Sequence, residues 1–80
     1  MSHPDRIPVV VRYDIMHEAA TRARGVLVGL QDDHPERADE YQARRLAIAE
    51  LVDAVDPDDR EAISRTTEQL RAEYDELTRS

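Results

Sequence analysis

The chain has 80 residues, a net charge of −7 and no cysteine, which describes one small acidic domain with no disulfide staple and no thiol chemistry. Ten of its apolar residues are alanine, Phe and Trp are absent, and three tyrosines supply all the aromatic surface. A core so poor in large side chains is marginal at this size, and it predicts completion by another protein or by a second copy.

No apolar run reaches the ~18 residues of a membrane span, and no basic-then-apolar pattern of a signal peptide is present. No membrane contact is expected, and the expected location is cytoplasmic. Charge is uneven along the chain. Residues 1–12 carry a small positive excess from Arg6 and Arg12 against Asp5, whereas residues 32–80 hold 15 acids against seven arginines. An acidic surface repels a phosphate backbone and attracts a basic protein. Nucleic acid could therefore be met only by the N-terminal arm.

The first element follows "SHPD". Residues 6–14, "RIPVVVRYD", are rich in β-branched side chains, and they predict a short extended N-terminal arm or strand over residues 1–13. A lone strand must pair with another chain or lie across helices, because its own ladder is incomplete.

Helix one is expected over 14–30, with Asp14 as N-cap. Ile15, Met16, Ala19, Ala20, Ala23, Val26, Leu27 and Leu30 fall on one arc of the helical wheel. His17, Glu18, Thr21, Arg24, Gly25 and Val28 occupy the other side, where Val28 is a misfit. Gly29 reads as a C-cap that ends the helix before the turn at 31–34. Gly25, a full turn earlier, has no such role. With Thr21 and Val28 it forms a small-residue face that another helix or loop could approach closely, a spacing like the small-xxx-small motif.

Helix two is expected over 35–55, opened by Pro35 and by the acids Asp32, Asp33 and Glu36 at its positive end. Its apolar stripe is Tyr41, Ile48, Leu51, Val52 and Val55, flanked by the stems of Arg44 and Arg45, with Leu46 off the stripe. Helix three is expected over 57–78, with Asp56 as N-cap and Pro57 at the first helical position. Ile63, Thr67, Leu70, Tyr74 and Leu77 recur at spacings of four and three, a narrow heptad-like seam. Glu61–Arg65 and Asp75–Arg79 are favourable i,i+4 pairs beside it. The whole is an all-α domain, a small three-helix bundle over residues 1–80, with helices one and two antiparallel.

Catalytic chemistry finds no carrier. His3, His17 and His34 are scattered without a second ligand at metal-site spacing. "QDDHPE" reads as helix capping, the three serines lack a neighbouring base, and no glycine-rich phosphate loop is present. No enzyme activity, metal or cofactor is expected. The short helical antitoxins of Fic-type nucleotidyl transferases carry Ser-x-x-x-Glu-Gly. Here Arg24 precedes Gly25 and Val28 precedes Gly29, so the glutamate on which that mechanism depends is missing.

The expected function is therefore partner binding of an antitoxin-like, inhibitory kind, directed at a larger basic protein. The candidate contact residues are Thr21, Gly25 and Val28 on helix one, with Ile63, Leu70, Tyr74 and Leu77 on helix three, whose seam could lie in a groove. A dimeric ribbon-helix-helix regulator reading DNA through Arg6 and Arg12 is the alternative, although the strand faces are apolar for base contact. A structural subunit of a larger helical complex is a further one.

Overall fold

The computed structural model describes residues 9–79 as three α-helices, α1 (Val9–Asp33), α2 (Ala38–Asp53) and α3 (Arg60–Thr78). The all-α reading stands. Residues 1–8, including Arg6 and the first part of the expected arm, lie outside the described residues. Residues 9–13 do not form the expected extended segment: α1 begins at Val9, five residues before Asp14. The cost of three valines in a helix is a few tenths of a kcal/mol each. Two neighbours of those valines make tertiary contacts that an extended arm would lack. Tyr13 packs on the core, and the Arg12 guanidinium lies 3.5 Å from the Ser64 hydroxyl of α3.

At its other end α1 runs through Gly29 instead of ending there. Neither glycine has a positive φ, so no left-handed cap forms. The helix ends at Asp33, and the His34 N–H still donates to the Leu30 carbonyl at 2.8 Å. The last turn is held from outside, because Arg45 of α2 donates to the Gln31 side chain at 3.2 Å.

The link to α2 contains a short 3₁₀ turn, Pro35–Arg37, so α2 proper starts at Ala38 and not at Pro35. α3 starts three residues later than expected. The Asp56 carboxylate accepts from the Asp58 N–H, and the Asp59 N–H donates to the Asp56 carbonyl, which closes a turn around Pro57. Asp59 is the true N-cap and accepts from the Ala62 N–H at 3.0 Å. Two Asp residues competed for one role.

α1 is the central element and packs against both other helices. Arg12 near its start meets Ser64 near the start of α3. Glu18 and Arg22 further on share a groove with Arg71 and Asp75, so α1 and α3 run in the same direction. α2 runs back along α1 and meets α3 only marginally, with Arg44 reaching Glu73 of α3 at 2.9 Å.

The core follows the sequence stripes. Met16, Ala19, Ala20, Ala23 and Leu27 are buried from α1, Tyr41, Ile48 and Val52 from α2, and Ile63 and Leu70 from α3, with Val55 beyond the end of α2. Three alanines in the middle of α1 let both neighbours approach closely. Thr66 and Thr67 complete the α3 face, and the Thr67 hydroxyl donates back to the Ile63 carbonyl at 2.8 Å, which removes the cost of burying it.

Candidate partner surface

Thr21, Gly25 and Val28 lie on the side of α1 that faces away from α2 and α3, and all three are exposed, as is Gly29. Val28 keeps 40% of its surface open to solvent. The Thr21 hydroxyl is turned onto its own helix, donating to the His17 carbonyl at 3.0 Å. A Cβ built on Gly25 or on Gly29 would meet no other side chain or neighbouring helix within 4 Å. Neither glycine is therefore needed for helix packing inside this chain.

The four residues named on α3 separate into two pairs. Ile63 and Leu70 are 1% and 0% exposed and sit in the chain's own core. In the folded bundle they are spent internally and do not face a partner. Tyr74 and Leu77 remain half-buried at its edge. Tyr74 lines an open groove with Ile15, Ala19 and Arg71, whereas Leu77 packs against the core. The seven candidates thus do not form one surface: three share the outer face of α1, Tyr74 rims the α1–α3 groove, Leu77 packs at the core edge, and Ile63 and Leu70 lie inside the core. Arg12, the alternative DNA contact, lies on α1 with its Nε buried and without a hydrogen-bond partner.

Acidic side chains dominate both turns. Glu50, Asp53, Asp56, Asp58 and Asp59 are exposed around the α2–α3 link, with no basic residue between Leu46 and Asp59. At the α1–α2 link, Arg37 grips Glu40 through two hydrogen bonds of 2.8 and 3.1 Å and lies 5.0 Å over the Tyr41 ring. That hydrogen bond raises the pKa of the Arg37 guanidinium and lowers that of the Glu40 carboxyl. Among the described residues, no three His, Asp or Glu side chains are grouped so as to hold a metal ion, and no helix is long and apolar enough to cross a membrane.

Two exposed apolar side chains were not among the candidates. Leu46 on α2 is 59% exposed, and Val11 on α1 is 41% exposed. Leu46 was legible as a residue off its stripe. Val11 was not, because its segment read as extended. No family model matches this chain, and no curated protein or solved structure matches it either.

Proposed function

We propose that this chain is a small non-enzymatic binding protein that docks a larger basic protein in the cytoplasm through the outer face of α1 and inhibits it. The observation that carries this reading is the pair Gly25 and Gly29. Each costs its helix roughly 1 kcal/mol relative to alanine, yet each is exposed mid-helix with nothing packed against it. A helix interior that tolerates two such residues without internal use is suited to close approach from outside. The acid-rich turns at residues 32–40 and 50–59 add long-range attraction for a basic surface.

The ribbon-helix-helix alternative is the less favoured reading, since Val9–Tyr13, which would form most of the ribbon, lie within α1. The test uses the immobilised chain to capture proteins from an extract of its source cells. Gly25→Leu should fold at least as stably as the parent, because a side chain there enters open space. It should also lose the captured partner. Equal capture by parent and variant refutes the assignment of this face.

A further inference from the structure

We infer that the trough between α1 and α3, on the side of that pair not covered by α2, is where a second copy of this chain docks in antiparallel orientation. Three adjoining depressions make one continuous trough. Arg12, Ser64 and Glu68 link the first to the second, and Ile15 and Arg71 link the second to the third. Its floor is Ile15, Ala19 and Tyr74, flanked by the buried Ile63 and Thr67. α2 cannot close it, because the Arg44–Glu73 bridge holds α2 on the other flank of α3.

The choice of a second copy rests on charge. In the first half of the trough Arg12, Arg60 and Arg65 stand against Glu61; in the second half Glu18, Glu68 and Asp75 stand against Arg22 and Arg71, a smaller excess of acid. Among the described residues, Arg22–Glu18 at 3.7 Å is the sole ion pair involving any of these side chains. The i,i+4 pairs expected from sequence, Glu61–Arg65 and Asp75–Arg79, are not closed. The turn acids Asp56, Asp58 and Asp59 do not line the trough, and Asp56 and Asp59 are engaged by backbone N–H groups. A copy turned end for end by a two-fold axis sets the arginine-rich end of each trough against the acidic end of the other, and each contact then occurs twice.

The experiment is sedimentation equilibrium over a dilution series of the full chain, with circular dichroism on each variant to verify the fold. The parent should dimerise. Arg65→Glu alone and Asp75→Arg alone should each weaken the dimer roughly tenfold or more, since each replaces two attractive contacts by two repulsive ones. An equimolar mixture of the two variants should recover association, because every reversed charge then meets its opposite. A parent that stays monomeric at all concentrations overturns the proposal and leaves the trough to a helix of another protein. A dimer indifferent to both reversals, or a mixture that fails to recover, overturns it as well.

Discussion

Single residues separate what the bundle needs from what it merely carries. Gly25 and Gly29 have open space where a Cβ would go, so Gly25→Ala and Gly29→Ala should each stabilise the free chain by about 0.5–1 kcal/mol. For a domain of this size each substitution should raise the thermal midpoint by several degrees. Asp59 is the opposite case. Its carboxylate satisfies a helix-end donor, and Asp59→Ala should cost about 0.5–2 kcal/mol. Asp56→Ala removes only a turn contact and should cost less, and denaturant titration of the two variants ranks them. At the α1–α2 link, Glu40 is held ionised by Arg37. Its folded pKa lies below the unfolded value, so its contribution is present above the ordinary carboxylate range and fades as pH falls through the folded pKa. Because the pair is exposed, the difference between parent and Glu40→Gln should be small near neutrality and vanish in acid.

At the scale of elements, stability rests on the seam where α1 meets its neighbours. Leu70→Ala removes a fully buried side chain and should cost about 2–5 kcal/mol, a large share of what a domain this small commands. Leu46→Gln, on an exposed position, should leave the unfolding free energy from a urea titration within about 0.5 kcal/mol of the parent. The helical periodicities made these faces legible. Met16, Ala19, Ala20, Ala23 and Leu27, the buried residues of α1 among those described, lie on the predicted arc, and Tyr41, Ile48, Val52, Ile63 and Leu70 lie on the predicted stripes. The ends were less legible, for reasons of two kinds. Arg12 and Tyr13 at the start of α1, and Gln31 in its last turn, make contacts with α3, the core and α2 that local propensity cannot register. The start of α3 was misplaced because Asp56-Pro57 and Asp59 are both good initiation signals, and the former was drawn into a turn.

On the scale of the whole molecule, a single long helix serves three surfaces. One arc of α1 builds the core, a second opens with α3 into the trough, and a third carries Thr21, Gly25 and Val28 to solvent. The outer face was readable in sequence, since all three residues fall opposite the apolar arc. The trough was not, because it joins residues about 50 positions apart, such as Arg12 and Ser64, that only the parallel packing of α1 and α3 brings together. The α3 seam shows the converse limit. Periodicity reveals that Ile63 and Leu70 are buried by something, and only the folded chain shows that the something is α1.

The most direct measurement is the capture experiment with Gly25→Leu, run beside its thermal unfolding. An unchanged or raised midpoint together with loss of the captured partner is the predicted result, since the glycine then serves a contact outside the chain. An unchanged midpoint with undiminished capture would contradict the role of the outer α1 face, and would return Gly25 to being a tolerated flaw in an ordinary helix.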